Sequence, residues 1–197
     1  MKVKDLILYQ VATDRNYKVG YKIHFGSEPN GQEFNCLNLA FTNKDGEPLY
    51  ELGYNNAKKG IFKNKNLLLD MSKALSNYDF IMREFAMEEV RKKEFPKLPS
   101  RFRCMFLSEN EDTCLHNLEG FIKRGAGKNL QVIKVKVNGE AHFVKSFGIT
   151  RSGLSFNEYK KEAVKYWSQD QNSKAATKEI LFVGDVEVVE ILKEVNL

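Results

Sequence analysis

The chain of 197 residues carries a formal net charge of +5, with 42% hydrophobic, 29% charged and 12% aromatic residues. That mixture excludes a disordered chain, and no apolar run approaches the roughly 18 residues of a membrane span. The length fits one domain, 1–197, with a core that needs no disulfide or metal staple.

The first clear element is a strand over Val3–Ala12. Its apolar stretch is interrupted by Gln10 and is followed by no small-residue cleavage site, so it makes a poor signal peptide. Together with three widely spaced cysteines, Cys36, Cys104 and Cys114, this predicts a cytoplasmic protein with reduced thiols and no membrane partner. Asp14–Gly26 reads as a turn region. Ser27–Asn77 has a weak pattern rich in Asn, Gly and Lys and reads as a loop-rich insertion, with Lys44-Asp45-Gly46 as a possible hairpin turn.

Tyr78, Ile81, Met82 and Phe85 fall on one helical face, which predicts a helix over Tyr78–Phe95. Arg91, Lys92 and Lys93 suit its C-terminal dipole, and Pro96 and Pro99 stop it. A strand over Arg101–Ser108 follows. Ser108-x-x-Glu111 then resembles a capping box for a helix carrying Leu115, Leu118 and Ile122 and ended by Gly125-Ala126-Gly127. Leu130–Lys145 alternates around Asn138-Gly139 and predicts a hairpin. A second capping box, Ser155-x-x-Glu158, opens a helix carrying Phe156, Tyr159, Ala163 and Trp167. Gln169–Thr177 is a polar loop. Glu179–Leu192 closes the chain as one or two strands broken at Gly184-Asp185. Strands bracket helices, so the class is α+β with a mainly antiparallel sheet.

The positive charge is clustered. Arg91–Arg103 holds six basic residues and one acid, Tyr54–Asn66 four lysines and no acid, and Phe121–Gly139 five basic residues and no acid. Such clusters either solvate a surface or meet a phosphate-bearing partner. The tail is acidic, with Glu179, Asp185, Glu187, Glu190 and Glu194 against Lys193.

Several enzyme signals fail. Gly120, Gly125 and Gly127 make neither a P-loop nor a dinucleotide fingerprint. Cys104, Cys114, His116 and His24 lack zinc-ligand spacing, and Cys104 reads as a small core residue. Taken singly, Tyr9-Gln10, Ser100-Arg101 and Glu179 have ordinary structural readings.

Taken in order, LILYQVATDRNYKVG, LPSRFRCMFLSENEDTCLHNLEGF and KEILFVGDVEVVEIL resemble the three motifs of the ADP-ribosyltransferase superfamily. With Pro99-Ser100-Arg101, Tyr166-Trp167 and the closing glutamate strand, the pattern is similar to an uncharacterised bacterial and phage family grouped with it. The resemblance implies an ADP-ribosyltransferase-like split sheet with flanking helices. It also implies an NAD-dependent transferase that uses NAD as substrate and no metal, with an unknown protein or nucleic-acid acceptor.

On this resemblance Glu179 stabilises the positive charge of the breaking nicotinamide–ribose bond, with Glu187 or Glu190 as alternatives. Tyr9 and Phe106 wall the nicotinamide, and Gln10 bonds the ribose. Ser100 orients the glutamate or the nicotinamide amide, and Arg101 pairs with the pyrophosphate. Two positions depart from the pattern: Gln10 stands where a histidine is expected, and Met105 where the motif has a tyrosine. These departures leave open a second reading, a catalytically inactive protein of the same fold that binds a nucleic acid or partner protein through the basic strip Arg91–Arg103. An unrelated α+β fold is the third.

Overall fold

A computed structural model describes residues 1–39, 41–43, 45–60, 65–145, 152–168 and 178–197. In chain order the elements are β1 (Lys2–Thr13), β2 (Lys22–Phe25), α1 (Gly31–Asn38), α2 (Leu49–Lys58) and α3 (Lys65–Glu94). They continue with β3 (Met105–Leu107), α4 (Glu111–Arg124), β4 (Asn129–Val144), α5 (Phe156–Trp167) and β5 (Glu179–Asn196). The class is α+β, and the sheet is antiparallel in the order β1-β4-β5-β2. The far edge of β5 is divided: β2 pairs with Gly184–Glu187, and β3 pairs with Ile180–Phe182. Reciprocal backbone bonds between Tyr9 and Ser108, 3.0 and 2.7 Å, bring the end of β3 back to β1, so the sheet curls.

The curl separates three cores. Leu8, Ala12, Met105, Ile133, Phe182 and Val188 belong to the inner one. Met87, Val90, Tyr159, Ala163, Trp167 and Leu181 pack α3 and α5 against one outer face. Cys114, Leu118, Leu130 and Val132 seat α4 on another. Trp167 is fully buried yet satisfied, because its indole N–H donates to the Met87 carbonyl at 2.9 Å.

The predicted hairpin at Asn138-Gly139 is instead the middle of one 16-residue strand, β4. Both residues pair with β5, Asn138 opposite Asp185 and Gly139 opposite Gly184, and Gly139 also lies opposite Val3 of β1. A Cβ on Gly139 would strike the Val183 carbonyl and the Gly184 Cα, and one on Gly184 would strike the Asn138 carbonyl. The glycines therefore serve a close approach of two backbones. The Asn138 side chain accepts the Asp5 N–H at 2.8 Å, where β1 bulges and Asp5 takes φ 51°. β5 is likewise unbroken at Gly184-Asp185.

Ser27–Asn77 is mostly helical and supplies α1, α2 and the first part of α3. Leu67, Met71 and Ala74 continue the helical period upstream of Tyr78. A Cβ at Gly53 would strike the Met71 thioether, so the glycine lets α2 lie close on α3. Lys44 of the possible hairpin turn, and all of Gln169–Thr177, lie outside the described residues. β2 falls in the region read as turn.

The Ser155–Glu158 capping box is present as read. The start of α4 differs: Asn110 is the cap, accepting the Thr113 N–H at 2.9 Å, and Ser108 is the last bridge residue beside β3. Gly125 ends α4 in the left-handed conformation at φ 62°. No described helix is long and apolar enough to cross a membrane.

Candidate functional site

A cleft of about 1130 Å³ opens beside β1, β3 and the start of β5. Gln10, Arg101, Met105, Phe106 and Glu179 all line it, as do Asn30, Gln32, Asn117 and Lys178. All but Asn30 and Gln32 come from the three stretches that carried the sequence resemblance.

Arg101 is the hub. The predicted strand Arg101–Ser108 is shortened to Met105–Leu107, and the reason is local satisfaction of the backbone. Asn30 donates its amide to the carbonyls of Arg101 and Cys104, at 2.7 and 2.8 Å. Its own N–H reaches the Phe102 carbonyl at 2.7 Å, and Arg103 N–H closes a turn on Ser100. With those groups paired, residues 101–104 form a turn that sets Arg101 under α3.

There the guanidinium is 7% exposed and has three partners. Its Nε donates to Glu84 at 2.9 Å. One terminal nitrogen donates to Glu179 at 2.7 Å and to the Tyr166 hydroxyl at 2.8 Å. That hydroxyl in turn donates to the same Glu179 oxygen at 2.6 Å. The guanidinium also lies over the Phe106 ring, 4.8 Å from its centre. Burial opposes the charge of Arg101, but Glu179 and Glu84 outweigh it and hold the group above its ordinary range. Burial pushes the Tyr166 phenol up well above its ordinary value, Arg101 opposing and Glu179 adding to the rise.

Other expected site residues lie elsewhere. Tyr9 packs on the α4 side with Cys114 and Leu118, because strand alternation turns it away from Leu8 and Gln10. It does not wall the cleft. Ser100 donates to Glu88 at 3.0 Å and so orients neither Glu179 nor a ligand. Arg101 is held by two carboxylates and does not stand open to a pyrophosphate.

Glu187 and Glu190 pair across the sheet with Lys136 and Lys134, at 3.0 and 3.2 Å, and neither lines the cleft. Met105 is buried in the inner core as well as lining the cleft, and Phe106 packs partly into the α3–α5 core. Gln10 shares the strand face of Leu8 and Ala12, and its buried side-chain oxygen has no partner. Glu179 shares the opposite face with Leu181, toward α3 and α5. The two meet the same cleft from opposite sides of the sheet.

The thiols are free, buried and dispersed. Burial raises Cys36 to about 11 and Cys114 to about 12 and pushes Cys104 higher still, so none is an activated nucleophile. Among the described residues no group of three His, Cys, Asp or Glu side chains is placed to hold a metal ion. His24 pairs with Asp185 at 2.7 Å.

The sequence pattern singles out neither Glu84, Asn30 nor Gln32, and it marks Tyr166 only as part of the tryptophan-bearing helix. A signal for Glu84 exists: Glu84, Glu88 and Arg91 share a helical face with Ile81, so charge sits on a stripe that also carries core residues.

Residues 8–194 match the family described as a protein of unknown function, DUF2441, and the chain belongs to that family. No curated protein matches it.

Proposed function

We propose that this member of the DUF2441 family is an ADP-ribosyltransferase-like enzyme that cleaves the nicotinamide–ribose bond of NAD. It would pass ADP-ribose to a macromolecule or to water. The reading combines the resemblance of the three motifs with one observation: Gln10, Arg101, Phe106 and Glu179, drawn from all three, line one cleft. Its volume of about 1130 Å³ gives room for a dinucleotide.

In this reaction the C–N bond breaks, its electron pair leaves with neutral nicotinamide, and positive charge develops on the ribose. A nucleophile then bonds the ribose carbon and releases its proton to solvent. A carboxylate held in a low-dielectric site stabilises that charge in the transition state more than in the ground state. Glu179 is the glutamate that lines the cleft. Arg101 is shared between it and Glu84, so it does not serve Glu179 alone. The unpartnered Gln10 oxygen offers an acceptor for a ribose hydroxyl. Exposed Arg15 and Lys178 also line the cleft and take the phosphate-binding role expected of Arg101.

The test is nicotinamide release from NAD. Wild type releases it, and Glu179→Gln lowers kcat by about 100-fold or more, on the scale of losing one electrostatic stabiliser. Equal activity of the two proteins, or none in either across protein and nucleic-acid acceptors, refutes the assignment.

A second reading is favoured by the Glu179 oxygen that both Arg101 and Tyr166 bind. It makes the network structural and the protein a binding module acting through Arg91–Arg103. Three of that strip's six cations, Arg91, Lys92 and Arg101, are paired with glutamates, leaving Lys93, Lys97 and Arg103. It predicts polyanion affinity that falls steeply with salt.

A further inference from the structure

We infer that two copies of this chain pair through the helical hairpin α2–α3, about a two-fold axis that passes beside Tyr54 of α2. The cleft takes no part in this pairing, which stands whether or not NAD is the substrate.

Four large apolar side chains of the hairpin face solvent: Tyr50, Tyr54, Leu68 and Leu75 are 72%, 66%, 55% and 69% exposed. Their spacing puts them together. The short connection from Lys58 to Lys65 makes α2 and α3 antiparallel neighbours, and the close approach of Gly53 to Met71 marks their facing sides. At 3.6 residues per turn, Tyr50 and Tyr54 stand roughly 60° and 100° round from Gly53, and Leu68 and Leu75 roughly 60° and 40° round from Met71, in the same sense. In antiparallel helices a turn in the same sense leads to the same flank, so the four share a face. They offer roughly 500 Å² per copy, the size of an apolar patch that usually carries function. Across two copies that is about 1,000 Å², the lower bound of a specific interface.

Charge on α2 says what covers the face. Glu51 lies in the first turn and Lys58 in the last, both exposed and two turns apart, so they stand on one side of the helix. Among the described residues neither has an ion-pair partner. A second α2 laid antiparallel, with the axis between positions 54 and 55, sets Glu51 of each copy against Lys58 of the other and brings the two Tyr54 rings together at the centre. Parallel pairing would set like charges against each other, and an anionic lipid surface or nucleic acid would meet Glu51 with its own sign. The acid and the base also suit the dipole of their own helix, but the exposed tyrosines and leucines beside them do not follow from that.

Sedimentation velocity of the full chain over about 1–200 μM tests the pairing, because an interface of this size is weak, with a Kd on the order of 10 μM. The mass of wild type is expected to rise from 22.7 kDa toward twice that value. Tyr54→Lys, which sets two cations together at the axis, stays at 22.7 kDa throughout. Glu51→Lys and Lys58→Glu each weaken the pair by about tenfold, because each reversal acts twice across the axis, and the double reversal returns to within about twofold of wild type. All three positions are exposed, and thermal unfolding at the lowest concentration checks that each variant folds as wild type does. Wild type that stays monomeric at every concentration overturns the inference, and its binding to vesicles of phosphatidylcholine and phosphatidylglycerol would give the face to a lipid surface instead. A dimer that survives Tyr54→Lys, or one that the double reversal does not restore, overturns pairing through α2.

Discussion

Two arginine–glutamate clusters sit one helical turn apart on α3 and differ in reach. Glu88 takes Arg91 from its own helix, three residues away, and the Ser100 hydroxyl. Arg91 also donates to the carbonyl of Leu98 at 3.0 Å, so this cluster fastens the proline turn to the helix that precedes it. Glu84 takes Arg101, which lies 17 residues on, and through it Glu179, 78 residues further. The first cluster is a local clasp, and the second joins α3, the turn before β3, α5 and β5 at a cleft. The same residue chemistry thus makes a brace in one place and a candidate site in the other. The difference lies in the second carboxylate that a distant element, β5, supplies to Arg101.

The largest expected effect separates the clusters by stability. Arg101→Met leaves Glu84 and Glu179 without their shared cation and should cost about 3–5 kcal/mol in urea unfolding. Arg91→Met, at a pair closer to solvent, should cost about half as much. Equal losses would erase the distinction. A smaller effect comes from Ser100→Ala, which removes one hydrogen bond to the Glu88 carboxylate. It should cost about 1–2 kcal/mol and leave nicotinamide release unchanged. A change in kcat would mean that the clasp is coupled to the cleft after all.

The smallest effect concerns an exposed carboxylate. Asp14 accepts the backbone N–H groups of Asn129 and Lys128, which lower its pKa. A lowered folded-state pKa means that its stabilisation is present above the unfolded value of about 3.9 and is lost as pH falls through the folded value. Asp14→Asn should therefore lower stability near neutrality and flatten the profile below about pH 4, where variant and wild type converge. A variant that loses stability equally below about pH 4 and near neutrality would show that its charge is immaterial.

Much of the frame was readable before any coordinates. The Ser155–Glu158 box, the helix end at Gly125 and the first strand depend on bonds between residues a few positions apart. The site was partly readable: Gln10, Arg101, Phe106 and Glu179 reach one cleft, while Tyr9 and Ser100 do not. Tyr9 fails because alternation along β1 puts it on the α4 face, and the choice of buried face is made by what packs there. Ser100 fails because Glu88 claims it first. Asn138-Gly139 carries a strong turn signal, but pairing of both residues with β5 makes it strand, and the glycine's value is the Gly184 backbone pressed against it.

The amino-acid sequence by itself therefore determined the class, most strand and helix positions, the capping box of α5 and the glycine end of α4, and the clustering of charge, because each arises within a turn or two of chain. Tertiary structure alone decided which arginine holds the cleft and which merely braces α3. A buried guanidinium must be neutralised by whatever carboxylate the fold brings within bonding distance, and for Arg101 those carboxylates come from α3 and β5, far apart in the chain.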